Sequence, residues 1–298
     1  MTAERLVRPY RIDDPDRFRL DSFRCDDTDE IDGDKDDVKA MLARDIEKLA
    51  DLQKRLYAQN RWAVLVVLQG MDTAGKDGII THVMGGVNPQ GCEVHPFKVP
   101  TDRELEHSFL RRPALALPER GHIGIFNRSY YEEVLVVRVH PELLKRQKLP
   151  PQLIGRSVWK ERFEDIRAFE RHLARNGTLI LKFFLHISKE EQRRRLLDRL
   201  EEPDKRWKFD MNDIAERKFW SKYMAAYQDM VRATSRPHAP WYVVPADHKW
   251  FARLVVARAL VQALDRLDLS YPVVGAGALK EMRKVKRALR AERRRSPR

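Results

Sequence analysis

Residues 70–78, with the sequence Gly-Met-Asp-Thr-Ala-Gly-Lys-Asp-Gly, match the spacing G-x-x-x-x-G-K. In this pattern the glycines let backbone N–H groups converge on a phosphate, and the lysine adds a full positive charge. The apolar run at 62–68 predicts a buried strand before the loop, and residues 78–84 can begin a helix after it. A helix N-terminus adds further partial positive charge. The segment therefore predicts a phosphate-binding loop formed by Gly70, Thr73, Ala74, Gly75, Lys76, Asp77 and Gly78.

One position of the loop departs from the common pattern. Asp77 stands where a Ser or Thr hydroxyl usually ligates magnesium, so a metal ion would have to be held by other residues. The alternative interpretation of the segment is a tight glycine turn that binds no ligand. The strand before it and the helix after it favour the phosphate site.

A second polar group follows the apolar run at 121–126, in the sequence Asn-Arg-Ser-Tyr-Tyr-Glu-Glu of residues 127–133. Phosphate-loop enzymes usually place an acidic residue at this strand end to hold magnesium, but Asn127 is neutral. Glu132 lies about one helical turn later and can return a carboxylate to the same space. Arg128 is placed to contact a phosphoryl oxygen. The alternative is a helix N-cap at Asn127 followed by solvated charges.

A third group is basic. Arg195 and Arg199 are four residues apart on a predicted helix and therefore share one side, while Lys205 and Lys208 follow Pro203. Arginine binds phosphate oxygens in pairs through its planar fork. Residues 189–212 are therefore predicted to form a lid over a chain of phosphates. The alternative is an ordinary basic surface helix.

Hydrophobic periodicity predicts the elements that hold these groups. Ser188 and Glu191 predict a capping box at the start of the lid helix, and its packing face is predicted at Leu196, Leu197 and Leu200. Because strands alternate with helices, the pattern predicts a parallel sheet covered on both faces, with ligands at the carboxyl ends of the strands. Strands are expected at 62–69, 92–97, 121–126, 178–187 and 241–244, and helices at 36–59, 103–110, 134–139, 159–175, 190–200, 212–232 and 249–267. Pro113 is expected to stop the helix at 103–110, and Pro203 to break the helix at 190–200.

Composition limits the remaining classes. Hydrophobic residues make up 43% of the chain, and no apolar run approaches the roughly 20 residues that span a bilayer. Residues 1–11 are charged and lack the apolar segment of a secretion signal. Cys25 and Cys92 show no metal or redox spacing and are expected to be reduced thiols. These features predict a cytoplasmic protein without a membrane segment.

The net charge of +13 indicates a polyanionic partner, such as nucleic acid, an anionic membrane or a phosphate polymer. The charge is uneven, since residues 26–37 hold eight acidic residues and one lysine, whereas residues 280–298 hold ten basic and two acidic residues. These stretches can be solvated tails or can attract each other between subunits. The basic stretch can also hold a polyanion loosely.

Taken together, the motifs resemble the polyphosphate kinase 2 family over residues 49–271. The resemblance implies a three-layer α/β/α fold similar to thymidylate kinase, with a helical lid, and phosphoryl transfer between inorganic polyphosphate and nucleotides. Most members carry Asp where this chain has Asn127 and Asn where it has Glu132, and the swap resembles the subgroup that phosphorylates both AMP and ADP. The supporting segments are residues 70–78, 87–91, 126–132, 190–192 with Arg195 and Arg199, 207–208 and 239–241.

The resemblance also implies roles for individual residues. Magnesium is the expected cofactor, with manganese as a substitute, and Asp72 and Glu132 are its expected anchors, directly or through water. The alternative role for Asp72 is to orient the acceptor phosphate oxygen. Asn127, Arg128 and Glu132 are expected to bind the nucleotide, and Lys205 and Lys208 the polyphosphate. The residues of expected catalytic importance are Asp72, Lys76, Arg128, Glu132, Arg195 and Arg199.

The resemblance further divides the chain into three regions. These are an irregular N-terminal segment at 1–35, a kinase domain at 36–272 and a basic C-terminal tail at 273–298. Polyphosphate and AMP, ADP or ATP are the expected partners, and the sequence leaves GMP and GDP open. No specific nucleic acid and no membrane are expected, and the resemblance implies a homo-oligomer, either a dimer or a tetramer.

Two other functions remain open from the sequence. One is a nucleoside monophosphate kinase that uses ATP, against which stands the excess of cations in the lid. The other is a basic nucleic-acid-binding protein with a degenerate phosphate loop. Against the second, the chain shows no helix-turn-helix signature, zinc spacing or aromatic-rich binding strand.

Overall fold

The computed structural model describes residues 3–29, 31 and 35–292, and its centre is a parallel sheet of five strands in the order β2-β3-β1-β4-β5. Central β1 is buried along its whole length, pairing Leu65 with Gly124 on one side and with Ile180 on the other. This order brings the ends of β1, β3 and β4 together, as the alternating pattern predicts. The strands are β1 (Ala63–Gln69), β2 (Cys92–Pro96), β3 (Ile123–Asn127), β4 (Thr178–His186) and β5 (Trp241–Pro245).

Helices surround the sheet in two groups. One group packs around α11, which contacts α1, α2 and α3, and the other joins α7, α10 and α6. In chain order the α-helices are α1 (Ala3–Val7), α2 (Lys35–Gln59), α3 (Lys76–Val83), α4 (Asp102–Leu105), α5 (Arg111–Leu115), α6 (Val136–Val139), α7 (Val158–Arg175), α8 (Lys189–Glu201), α9 (Met211–Glu216), α10 (Trp220–Thr234), α11 (Lys249–Asp265) and α12 (Ala276–Glu292).

The helix predicted at 103–110 is wrong, since α4 ends at Leu105 and the next helix, α5, begins only at Arg111. Pro113 was expected to end a helix but lies in the first turn of α5, where a missing backbone N–H leaves no hydrogen bond unmade. The helix predicted at 212–232 is likewise divided, into α9, a 3₁₀ turn at Arg217–Phe219, and α10.

The N-terminal segment packs on the core, although the sequence predicts it as irregular. Leu6 and Tyr10 are buried, and the backbone N–H of Ile12 donates to the carbonyl of Trp241 at 2.9 Å. A bridge between Arg11 and Tyr242 covers the edge strand β5, an edge that would otherwise offer unpaired backbone groups. Residues 1–2, 30 and 32–34 of this predicted segment lie outside the described residues.

A buried ion pair lies beneath the loop that follows β3. Lys182 Nζ is 2.7 Å from Glu170 Oε2, and the hydroxyls of Tyr130 and Tyr131 donate to Glu170 Oε1 at 2.9 and 2.7 Å. Burial lowers the pKa of Lys182 to about 8. Because a buried charge is costly without a partner, this network fixes residues 130–131 and with them the polar segment at 127–133.

The predicted C-terminal tail contains a long helix. Residues 276–292 form α12, and the described side chains from 276 to 291 are all exposed. The rest of the predicted tail, residues 293–298, lies outside the described residues. Within the described part of the chain, none of the helices combines the length and apolar character needed to cross a bilayer.

Candidate active site

The predicted phosphate loop joins β1 to α3 and adopts a backbone that requires glycine at two points. Gly75 has a φ of 105° at the start of α3, a value that L side chains rarely adopt. At Gly70 a Cβ atom would lie only 2.9 Å from the carbonyl oxygen of Leu185 on β4. Thr73 also has a positive φ, of 66°. The loop is therefore tightly turned against β4, with the N-terminus of α3 behind it.

Lys76 is buried and folds back over its own loop. Its Nζ donates to the carbonyl oxygens of Gly70 at 2.7 Å and Met71 at 3.1 Å. Burial, together with the charge of Arg128, lowers the pKa of Lys76 to about 8, although the carboxylates of Asp72, Glu132 and Asp77 act in the opposite direction. A bound phosphate would add negative charge at this point and favour the charged lysine.

This lowered pKa predicts a falling alkaline limb in the rate profile. Below pH 8 the Lys76 amine of the free enzyme is charged and can attract a phosphate, and above pH 8 it loses its proton. Because kcat/KM reports the ionisation of the free enzyme, we expect kcat/KM to fall as the pH rises through about 8. Initial rates between pH 6 and 10 at fixed ionic strength measure this. A kcat/KM that stays constant to pH 10 would contradict it.

Arg128 bridges the two carboxylates that the sequence predicts as metal anchors. Its Nη2 donates to Asp72 Oδ1 at 2.5 Å, and its Nη1 donates to Glu132 Oε2 at 3.3 Å. The carboxylates of Glu132 and Asp72 raise the pKa of Arg128 above its ordinary value. The expectation that Glu132 returns a carboxylate to the end of β3 is thus confirmed.

The alternative interpretation of Asn127 as a helix N-cap is wrong. Its side-chain Nδ2 donates to Asp77 Oδ1 at 2.8 Å, and Ser129 is the residue whose hydroxyl caps the following 3₁₀ helix. Asn127 therefore ties the end of β3 to the start of α3. Asp77, which replaces the usual hydroxyl, is one partner in this tie.

Helix α8 holds the phosphate loop through Gln192 and Arg195. Gln192 Nε2 donates to the carbonyl of Asp72 at 3.1 Å, and Arg195 Nη1 donates to that of Thr73 at 3.0 Å. Arg195 also donates to Glu191 and to the carbonyls of residues 246 and 247. It is buried, and one of its donors holds the loop while the others hold its own helix and the segment after β5. The guanidinium of Arg195 is therefore already held in place before any phosphate binds.

Two details of α8 differ from prediction. Leu196 is buried, but Leu197 and Leu200 are each 42% exposed, because the packing face is formed by Gln192, Arg195 and Leu196. Ser188 does cap the helix, accepting from the N–H of Glu191. The predicted capping box is incomplete, since the N–H of Ser188 donates to Asp247 and not to Glu191.

Two of the lid cations pair with acidic residues, and a third lies beside an aromatic ring. Arg199 Nη1 donates to Asp213 Oδ2 at 3.0 Å, Lys205 pairs with Glu202, and Lys208 Nζ lies 5.0 Å from the ring centre of Trp207. Burial, with the nearby charge of Asp72, raises the pKa of Asp213 to about 6. Sequence reasoning missed Asp213, because it lies on a separate helix, α9, with no motif around it.

All the sequence-predicted site residues line one cavity of about 1030 Å³. One part of its wall is polar and cationic, and another is apolar and aromatic, with Phe97, Phe109 and Val136. The sequence analysis missed Lys249 and Arg253, which also line it. The one sequence feature that could have indicated these two residues is their spacing, four residues apart just after β5. Burial and the like charge of Arg195 lower the pKa of both groups.

Comparisons with known proteins agree on one family. The sequence model of the polyphosphate kinase 2 family matches residues 32–271. An ADP-polyphosphate phosphotransferase of Rhodopseudomonas palustris is 50% identical over 86% of this chain and 89% of that protein. An AMP/ADP-polyphosphate phosphotransferase of Meiothermus ruber is 46% identical over 89% of this chain and 96% of that protein.

The crystal structure of polyphosphate kinase 2 from Arthrobacter aurescens superposes with a TM-score of 0.88. The two chains are 38% identical, and the match covers 96% of this chain and 98% of that one. The resemblance predicted from the motifs is confirmed, as is the parallel α/β fold. This chain belongs to the polyphosphate kinase 2 family.

Proposed function

We propose that this enzyme transfers the terminal phosphoryl group of inorganic polyphosphate to ADP, giving ATP, and to AMP, giving ADP, reversibly. The observation that carries the proposal is one cavity that joins the phosphate loop, the guanidinium groups of Arg128 and Arg199, and an apolar aromatic wall. Such a cavity suits a nucleotide and a phosphate chain that meet end to end. The names of the two relatives above, one specifying ADP and the other AMP and ADP, support the same reaction.

The decisive experiment compares phosphoryl donors. AMP or ADP is incubated with polyphosphate in one series and with ATP in the other, and nucleotides are resolved over time. We expect ADP and then ATP to form from AMP and polyphosphate, with no comparable turnover from AMP and ATP. Product formed with ATP but not with polyphosphate would support the ordinary nucleoside monophosphate kinase instead.

The chain's own residues account for the transfer in terms of charge. Phosphoryl transfer passes through a loose transition state with charge on the equatorial oxygens, and the amides of residues 73–78 with Lys76 face that charge. Arg128 and Arg199 hold donor and acceptor, whose negative charges repel each other. The terminal oxygen of AMP or ADP is ionised near neutral pH, so attack on phosphorus requires no strong base.

Magnesium is the cofactor we propose, with manganese able to replace it. The donor set fits, because Mg²⁺ is usually bound by one or two carboxylates plus substrate phosphates and water, and Asp72 and Glu132 both contact Arg128. No group of three or more potential metal ligands occurs among the described residues, so the phosphates must complete the coordination. When bound, magnesium would supply positive charge that offsets the negative charge of the phosphates.

A cationic track for the donor chain is the second part of the proposal. Lys249 and Arg253 lie at the start of α11, and a Cβ at Gly78 would be 3.7 Å from Arg253 Nη2. Their pKa values are lowered by burial and by neighbouring cations, which indicates a surface with excess positive charge. Polyphosphate beyond the transferred group would offset this charge.

Replacing Arg253 with alanine should therefore weaken donor binding. Hydrogen bonds to charged groups contribute about 1.5–3 kcal/mol, so we expect the KM for long polyphosphate to rise at least about tenfold. The KM for AMP should change little. Steady-state kinetics with each substrate varied in turn measures both, and Arg171→Ala on the surface of α7 is the control. Equal increases for donor and acceptor would argue against a separate track.

The nucleotide base is proposed to lie against the apolar wall. Arg112 lies 5.0 Å from the ring centre of Phe97, and Arg162 lies 4.5 Å from that of Phe109. Aromatic faces of this kind accept any purine by stacking. GMP and GDP therefore remain candidate acceptors beside the adenine nucleotides.

We place the reaction in the cytoplasm and in a homo-oligomer, a dimer or a tetramer. Cys25 and Cys92 are free and partly buried thiols, as is common for proteins of a reducing compartment. Burial raises the pKa of Cys25 to about 12 and that of Cys92 to about 11, so both thiols stay protonated near neutral pH.

A further inference from the structure

Helix α12 presents an apolar stripe to solvent. It spans Ala276–Glu292, its described side chains from 276 to 291 are exposed, and so are residues 270–275 that lead into it. Met282 and Val285 are each 56% exposed and Leu289 is 59% exposed. A shallow surface groove runs along these three residues and Ala278. Apolar residues placed in this way on a long helix need a partner to be removed from water.

The spacing of the stripe identifies the kind of partner. Ala278, Met282, Val285 and Leu289 are separated by four, three and four residues, which is the a and d spacing of a coiled coil with Met282 and Leu289 at a. Five of the six basic residues in α12 then lie at positions b, c and f, and of these five only Arg290 also lines the groove. With Leu279, which lies at position e and is 43% exposed, these residues form an apolar face about two heptads long. The face suits helices that pair with each other, and α12 of another copy carries the same face.

Charge at the edges of the apolar face fixes the direction of pairing. Glu281 lies at position g, and Lys286 lies at position e of the next heptad. In a parallel coiled coil a g residue faces the e residue five positions later on the partner helix, so Glu281 of one copy would face Lys286 of the other. In this structure Glu281 Oε1 is 2.8 Å from Lys284 Nζ, on the same helix, and its second oxygen can accept from a further donor.

We propose that α12 packs in parallel, in register, against α12 of a second copy of this chain. The apolar residues at a and d form the contact, two ion pairs between Glu281 and Lys286 flank it, and the remaining basic residues lie at b, c and f. This interface is separate from the cavity described above, so substitutions in it leave the catalytic residues unchanged.

Cysteine cross-linking tests the register. The variant Val285→Cys places one thiol at a d position, and Lys280→Cys places one on the outer face. Under mild oxidation with oxidised glutathione at low protein concentration, we expect Val285→Cys to form a disulfide-linked dimer of the 35.1 kDa chain. Lys280→Cys should form at least tenfold less of the disulfide-linked dimer. The wild-type chain, which retains Cys25 and Cys92, gives the background.

Charge reversal tests the direction. Lys286→Glu sets two carboxylates against each other in the parallel arrangement and should weaken association at least tenfold in sedimentation equilibrium. Adding Glu281→Lys to the same chain should restore it. Met282→Asp should also weaken association at least tenfold, whereas Ala291→Asp, which adds the same charge on the outer face, should not. Turnover with AMP and polyphosphate should stay within twofold in every variant.

Three results would overturn the proposal. One is equal cross-linking of Val285→Cys and Lys280→Cys, and another is a Lys286→Glu defect that Glu281→Lys does not restore. The third is wild-type protein that binds phosphatidylglycerol vesicles through α12 while neither Val285→Cys cross-links nor Met282→Asp alters association. That result would assign the stripe to an anionic membrane surface.

Discussion

The variant Lys76→Met is expected to lose about 100- to 1000-fold in kcat with AMP and polyphosphate, while its fold is retained. Removing one electrostatic contact to a transition state costs about 2.7–4 kcal/mol in comparable sites. Lys76 is the buried cation at the centre of the phosphate loop, and methionine keeps most of its stem while removing the charge. Rapid-quench or steady-state measurement of kcat at saturating substrates gives the value.

The stability of this variant separates loss of chemistry from loss of structure. Methionine removes a buried charge, which should stabilise the fold, and also removes the hydrogen bonds to Gly70 and Met71, which should destabilise it. Because these effects oppose each other, the melting temperature should stay within about 5 °C of the wild type. Lys160→Met on the exposed face of α7 is the matched control. Near-normal turnover by Lys76→Met would mean that the phosphate-loop assignment is wrong.

Much of the sheet and its loops could be predicted because the responsible signals are local. Each strand is a short apolar run, and the carboxyl ends of parallel strands meet at one edge. This rule placed Lys76 and Arg128 at one edge of the sheet, and both line the same cavity. The lysine inside β4 was the exception, since Lys182 sits in a strand that otherwise reads as apolar. Its partner Glu170 lies on α7, and no sequence pattern connects the two.

The contacts of the lid arginines could not be predicted, because they depend on tertiary packing. Spacing placed Arg195 and Arg199 on one side of α8, and the structure has both lining the cavity. Their surroundings differ, since Arg195 is buried against backbone carbonyls and Arg199 pairs with Asp213. Which carbonyls meet a guanidinium is decided by how α8 packs on the loop. The predicted packing face of α8 was wrong at Leu197 and Leu200 for the same reason, because polar residues of α8 take the buried positions.

Pro113 shows a different limit of predicting helix ends from the sequence. Proline is a reliable sign that a helix does not continue through it, yet it is compatible with the first turn. The sequence does not distinguish a helix that ends before Pro113 from one that begins just before it. In the structure the peptide at Pro113 lies in the first turn of α5, so the same residue that was expected to stop one helix starts another.

Asp72→Asn is expected to reduce kcat by about 100- to 1000-fold and to raise the magnesium concentration needed for half-maximal rate at least tenfold. The amide introduced by this substitution would keep an oxygen near Arg128 but would lack the charge that suits a hard cation. The remaining carboxylate of Glu132 would then hold both Arg128 and the metal. Initial rates at saturating AMP and polyphosphate, with magnesium varied over three decades, measure both effects.

Two companion variants make the result specific. Glu132→Gln should shift the magnesium curve in the same direction, because it removes the other carboxylate on Arg128. Asp51→Asn, a change on α2 at a residue that does not line the cavity, should leave the curve unchanged. If Asp72 orients the acceptor oxygen and does not hold the metal, Asp72→Asn would instead raise the KM for AMP and leave the magnesium curve in place. That outcome would contradict the assignment of Asp72 as a metal anchor while leaving it in the active site, since its carboxylate contacts Arg128 in either case.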